Sequence, residues 1–156
     1  MSRLSIREDI KKRSIRFNEK QLEAIKNLLA SALQQRDEVV LAILFGGLLI
    51  RGKPVRDIDV AVYTDYRVGS EEWPVYVDEL RHNLEKLLRI ELGIEKAVDV
   101  VLLEYAPPKL RAEILSKGLI LVDKVPGIRS VLLLHARDEL ARFTRRLSRE
   151  TAQLAV

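Results

Sequence analysis

Two aspartates one residue apart, Asp57 and Asp59, head an apolar run in the stretch LFGGLLIRGKPVRDIDVAVY (Leu44 to Tyr63), downstream of the glycine pair Gly46-Gly47. In a strand, residues i and i+2 project to the same face, so the two carboxylates point together while Ile58, Val60 and Val62 can pack on the other side. Adjacent carboxylates repel, and each favours protonation of its neighbour. Divalent cations remove that conflict. Two ions about 3.5–4 Å apart, bridged by carboxylates, form the clamp used in phosphoryl and nucleotidyl transfer. A pair of solvated aspartates at the mouth of a strand has the same pattern, so Asp-x-Asp alone does not decide between them.

Two further features narrow the choice. Asp99 lies inside the apolar run AVDVVLL, where a charge is costly unless it is paired or metal-bound. A third carboxylate on a neighbouring strand could complete a metal site and accept the proton of an attacking hydroxyl. An edge-strand aspartate facing water is the alternative. Gly46 and Gly47 end the preceding apolar run. Glycines let backbone N–H groups approach a phosphate closely, and a following helical turn would aim its positive end at the same anion. Arg51, Lys53 and Arg56 lie between this turn and the carboxylates and could meet phosphate oxygens.

The elements that must position these groups follow from spacing. Asn18 and Gln21 form a capping-box start, and Leu22, Ile25, Leu28, Leu29, Ala32 and Leu33 recur at helical spacing, which predicts a helix over 19–35. Strands are expected at 39–45, 57–63 and 97–103, with a short fourth at 119–122. Helices are expected at 73–92, at 108–116 behind Pro107-Pro108, and from 128 to about 153. This alternation predicts an α/β (α+β) chain: a small mixed sheet of about four strands flanked by helices, in a single domain over 1–156 with its core at 19–123.

Composition bounds the chemistry. The chain has 156 residues, no cysteine and two histidines, so disulfides, thiolate sites and a multi-histidine zinc site are excluded. A metal would have to be held by carboxylates, which favours magnesium, with manganese as the substitute. No apolar run approaches a membrane span, and the opening residues lack a secretory h-region, so a cytoplasmic protein without a membrane partner is expected. Residues 1–20 and 124–156 each carry a net charge of +4, against −4 for 21–123. The basic ends could bind nucleic acid or an acidic partner, but solvated helix faces are the preferred reading.

The glycine pair, the spacer and the Asp-Ile-Asp resemble the signature of the DNA polymerase β-type nucleotidyltransferase superfamily, usually Gly-Ser, about ten residues, then Asp-x-Asp. VDVVLLEYAPPKLRAEILSKGLILVD is similar to the matching part of its minimal nucleotidyltransferases (MNT), so the resemblance runs from about Val39 to Asp123. Many minimal members are antitoxins of a HEPN-type ribonuclease, which some silence by moving AMP onto a tyrosine. The resemblance implies that Asp57, Asp59 and Asp99 hold two Mg2+ ions (Mn2+ possible), with Asp99 helping to deprotonate the acceptor. It implies that Gly46, Gly47 and Arg51 bind the triphosphate of ATP, and that a HEPN-type partner accepts AMP in an oligomer of the chain with itself or that partner. One departure stands out. Gly47 replaces the family serine, which removes a hydroxyl contact to phosphate and leaves a non-catalytic binding module as the alternative.

Five other residues attract attention. Arg129 and His135 have the Arg-x5-His spacing of HEPN ribonucleases, but that fold is a helical bundle and this chain spends its middle on strands. Trp73 and Tyr76 are read as packing residues that could also stack on a base. Arg111 could reach a phosphate or lie on the helix surface.

Overall fold

The structure, a computed structural model, describes residues 15–50 and 54–155. Helix α1 (Glu19–Gln34) begins at the expected capping box. The Asn18 side chain accepts from Gln21 N at 2.8 Å and Gln21 Oε1 accepts from Asn18 N at 3.0 Å. Strand β1 (Leu41–Phe45) runs into a 3-10 turn at Gly46–Leu49, and β2 spans Asp57–Tyr63. Helix α2 (Trp73–Leu92) ends at Gly93, whose φ of 65° is the left-handed C-cap geometry that glycine accepts without a steric penalty. Strand β3 (Ala97–Leu102), a 3-10 turn at Leu103–Tyr105, α3 (Pro108–Lys117), β4 (Leu119–Asp123) and α4 (Ile128–Leu154) complete the chain.

The four strands form one open mixed sheet in the order β3-β2-β1-β4. β1 is antiparallel to β2 and β4, while β2 and β3 are parallel and joined through α2. Alternation along the strands sends side chains to two layers. On one face Ile58, Val60 and Val98 pack with Ile25 and Leu29 of α1 and Leu84 of α2. On the other, Ile43, Ala61 and Leu103 pack with Ile114 and Leu115 of α3 and Leu132 of α4. Each fully buried Leu or Ile contributes about 1.5–3 kcal/mol from burial. The architecture is the expected α+β one. The first strand starts two residues later than expected, because Val39 and Val40 form the approach to the sheet rather than the ladder, although Val40 N still donates to Tyr63 O at 2.9 Å. No helix among the described residues is long and apolar enough to cross a membrane.

Candidate active site

The parallel pairing of β2 with β3 sets Asp59 directly beside Asp99, and Asp57 beside Ala97. In-register residues on neighbouring strands share a face, and so do residues two apart on one strand. All three aspartates therefore project from the layer of α3 and α4, at the end of the sheet where those strands begin. One carboxylate oxygen from each lies within 4.8 Å of the others, and all three residues are partly buried. The donor set is oxygen alone, with no imidazole or thiolate, and suits a hard divalent cation such as Mg2+ or Mn2+.

The glycine turn closes on this cluster. Phe45, the last residue of β1, pairs with Asp59, so Gly46 follows immediately against the carboxylate. Its φ is 82°, and a Cβ built there would stand 2.2 Å from Asp59 Oδ2. Gly46 is thus demanded twice, by backbone conformation and by the approach of the aspartate. Gly47 is different: its φ lies outside the left-handed range and a Cβ would meet nothing within 4 Å. The sequence marked the pair as a unit, but only the first glycine is sterically required.

Lys96, 2% exposed, precedes β3 and lies near Asp57. Burial holds its ammonium below the ordinary lysine range, and the Asp57 charge pulls it back up. Its Nζ donates to the Arg56 carbonyl at 3.4 Å. Arg51 and Lys53, expected to meet phosphate, lie outside the described residues.

Of the other residues singled out from sequence, His135 is exposed on α4, and Arg129, Tyr76, Trp73 and Arg111 have structural partners. Arg129 donates to the carbonyls of Leu115, Ser116 and Gly118 at 2.6, 3.3 and 3.1 Å, closing the C-terminus of α3. Tyr76 donates to Glu38 Oε1 at 2.9 Å, and Trp73 stacks on Tyr105 with ring centroids 6.1 Å apart. Arg111 is ion-paired with Glu139 of α4. Sequence reasoning passed over Glu104, which is buried and fixes the turn after β2. The available signal was an acid closing the apolar run VDVVLL.

An open mixed sheet with three clustered carboxylates beside a glycine turn defines a nucleotidyltransferase fold. The family model "Polymerase beta, Nucleotidyltransferase" matches residues 27–126, a span that includes the turn and all three aspartates. The chain belongs to this family. No curated protein matches it by sequence. Among solved structures, a chain of the toxin–antitoxin MntA–HepT is similar over 86% of this chain and 99% of its own, at 17% identity and a TM-score of 0.58. A chain of a complex of tri-AMPylated Shewanella oneidensis HEPN toxin with MNT antitoxin gives 86%, 99%, 17% and 0.57 for the same measures. A toxin–antitoxin structure with AMP-PNP gives 84%, 98%, 18% and 0.56. At these identities the likeness is one of fold.

Proposed function

We propose that this protein is a magnesium-dependent nucleotidyltransferase of the minimal (MNT) type that moves AMP from ATP onto a hydroxyl of a partner protein, and that it serves as antitoxin to a HEPN-type ribonuclease. The observation that carries this reading is the meeting of Asp57, Asp59 and Asp99 within 4.8 Å. Three like charges from two strands are costly to hold together without a cation. Family membership supports the reaction class. The neighbours that carry an AMPylated toxin and AMP-PNP support the nucleotide and the partner.

In this reading Asp57 and Asp59 would hold two ions and with them the triphosphate. Asp99 would complete the metal site and take the proton from the acceptor hydroxyl. When bound, the metal neutralises the phosphate oxygens and the departing pyrophosphate. Gly46 keeps the backbone close enough for its amide and that of Gly47 to approach phosphate, and Arg51 contributes charge from the following segment. In this reading the partner docks in part on helix α4, whose residues 141–155 are all exposed.

A second reading, a non-catalytic module that silences its partner by contact, is favoured by one feature only: Gly47 lacks the family's hydroxyl. One experiment separates the two. Purified chain and a HEPN-type partner are incubated with radiolabelled ATP and Mg2+, beside Asp59→Asn and an EDTA control. Transfer of label to the partner, lost in both controls, is expected. ATP with Mg2+ should also raise the melting temperature of the wild type alone, since a ligand at about 100 times its Kd stabilises by about 2.7 kcal/mol. No transfer and an unchanged melting curve would decide for the non-catalytic module.

A further inference from the structure

Two exposed surfaces of opposite charge lie at the end of the sheet away from the three aspartates. The first is aromatic and acidic. β2 ends at Tyr63, four residues past Asp59 and so roughly 13 Å along the strand. The chain then turns through Asp65 and Tyr66, which have φ of 54° and 60°. Two successive non-glycine residues in the left-handed region persist only where their surroundings hold them. Buried Glu104 does so: its Oε2 accepts from Thr64 N, Thr64 Oγ1 and Tyr66 N at 2.9, 2.6 and 3.2 Å. The turn thereby holds the Tyr66 ring outward, 62% exposed. Tyr66 meets Tyr105 edge-on with centroids 6.0 Å apart, and Trp73, 37% exposed, stacks on Tyr105 at 6.1 Å. Tyr105 is pinned in turn by its hydroxyl, which donates to Val68 O at 2.7 Å. The three rings form a fixed row. Exposed Asp65, Glu71 and Glu72 beside it, against Arg67, give the segment 65–73 a net charge of −2.

The second surface is the outer half of α4. The helix starts beside Gly118, whose neighbour Leu119 pairs with Leu44 at the aspartate end of β1. Leu132, His135 and Glu139 then share a cavity wall with Tyr63, Tyr66 and Glu104. α4 therefore runs from the aspartate end to the aromatic end, and residues 141–155 continue past it as an exposed arm roughly 20 Å long. Arg142, Arg145, Arg146 and Arg149 line one groove of the arm, as their i, i+3, i+4, i+7 spacing requires. Against Glu150 they give the arm a net charge of +3. Arg142 is paired with Asp138 at 3.0 Å. Phe143 and Leu147 lie exposed on the adjoining face.

The surfaces match in spacing as well as in sign. Residues three or four apart on a helix recur every 4.5–6 Å or so along its axis, and the rings stand 6.0 and 6.1 Å apart. A guanidinium within about 6 Å of a Trp or Tyr centroid is attracted by the ring face, and the carboxylates beside the row add to that attraction. A helix that points away from its own body cannot bend back onto its own row, so the arm reaches the row of another molecule. A two-fold axis makes the exchange reciprocal. We infer that the chain pairs end to end with a second copy, the arginine stripe of each α4 lying on the Tyr66–Tyr105–Trp73 row of the other. Phe143 and Leu147 supply apolar surface to the contact, and the two aspartate clusters lie at opposite poles. A protein that docks on the α4 arm must displace the second copy, so the partner of the transferase reading and the dimer exclude one another.

The test is sedimentation equilibrium of the full chain, without nucleotide or partner protein. A dimer is expected at micromolar to millimolar concentration. Its population should fall several-fold as salt rises from about 0.1 to 1 M, which shortens the screening length from about 10 Å to about 3 Å. The double variant Arg145→Glu, Arg149→Glu and the double variant Glu71→Lys, Glu72→Lys should each be monomeric with the wild-type melting temperature, since all four positions are exposed. Mixed together, the two variants should form a heterodimer, because both of its contacts again join opposite charges. Trp73 is the only tryptophan, so a change in its emission on mixing places the contact at the row. The proposal is overturned if the wild type is monomeric throughout, if both variants remain dimeric, or if the mixture stays monomeric. It is also overturned by a monomer whose Trp73 emission responds to hexa-arginine alone, which would give the row to a basic partner, or whose arm takes up RNA instead. Because nucleotide is absent, none of these outcomes bears on the transferase reading.

Discussion

Gly46 and Gly47 look equivalent in the sequence, and the fold gives them opposite tolerances. At Gly46 a methyl group would stand 2.2 Å from Asp59 Oδ2 with φ at 82°. Gly46→Ala must therefore displace the aspartate as well as bear the left-handed penalty of about 1–2 kcal/mol. At Gly47 the space is open and the backbone ordinary, so Gly47→Ser can be accepted without strain. A hydrogen bond to a charged group is worth about 1.5–3 kcal/mol. The serine variant should therefore bind Mg2+–ATP, or transfer AMP, roughly tenfold better than wild type, whereas the alanine variant should lose Mg2+-dependent ATP binding. Isothermal titration of the three proteins with ATP and Mg2+ reads both effects. Equal affinity for wild type and Gly47→Ser would show that the backbone amide alone suffices.

Arg129 illustrates how an element can hide its reason in sequence. Its spacing to His135 drew attention as a ribonuclease pattern, yet its guanidinium spans three carbonyls at the end of α3. It thereby satisfies acceptors that a helix C-terminus leaves without partners. Gly118, beside it, lets that end rest on the sheet: a Cβ there would lie 2.1 Å from Ile43 Cγ2. Arg129→Met should cost about 1–3 kcal/mol, since it strips charged donors from partly buried carbonyls, and urea denaturation would measure it. A loss below about 0.5 kcal/mol would mean that water replaces the guanidinium. Local signals were legible because they act over a few residues: the Asn18–Gln21 capping box, the glycine stop of α2, and the period-two run of β2 with its aspartates. The parallel pairing of β2 with β3, which brings Asp99 to Asp59, depends on contacts forty residues apart that no local period records. The clamp of Glu104 on Thr64 and Tyr66 was hidden for the same reason, as was the pairing of Arg111 with Glu139.

α4 is 27 residues long, or about 40 Å at the α-helical rise. Its first half packs on α3, but from Ala141 to Ala155 every residue is exposed, Phe143 and Leu147 among them at 56% and 47%. Removing residues 141–156 should therefore leave the unfolding free energy within about 0.5 kcal/mol, as for changes at solvated surface. If the partner docks there, its affinity should fall sharply. Thermal melts and a pull-down with the HEPN-type protein check the two halves, and a complex that survives truncation intact would move the docking surface elsewhere. The ladder joining β2 to β3 has a consequence of another kind. Its two strands carry core residues on one face and the aspartates on the other, so a slip of one residue would drive Asp99 into the layer beneath α1 and α2. A slip of two would restore the face but carry Asp99 roughly 7 Å away from Asp59. Chemistry and foldability are thus inspected by the same register. A one-residue slip fails both and should appear as misfolded chain, whereas a two-residue slip is the error that leaves the buried face intact and the site alone out of line.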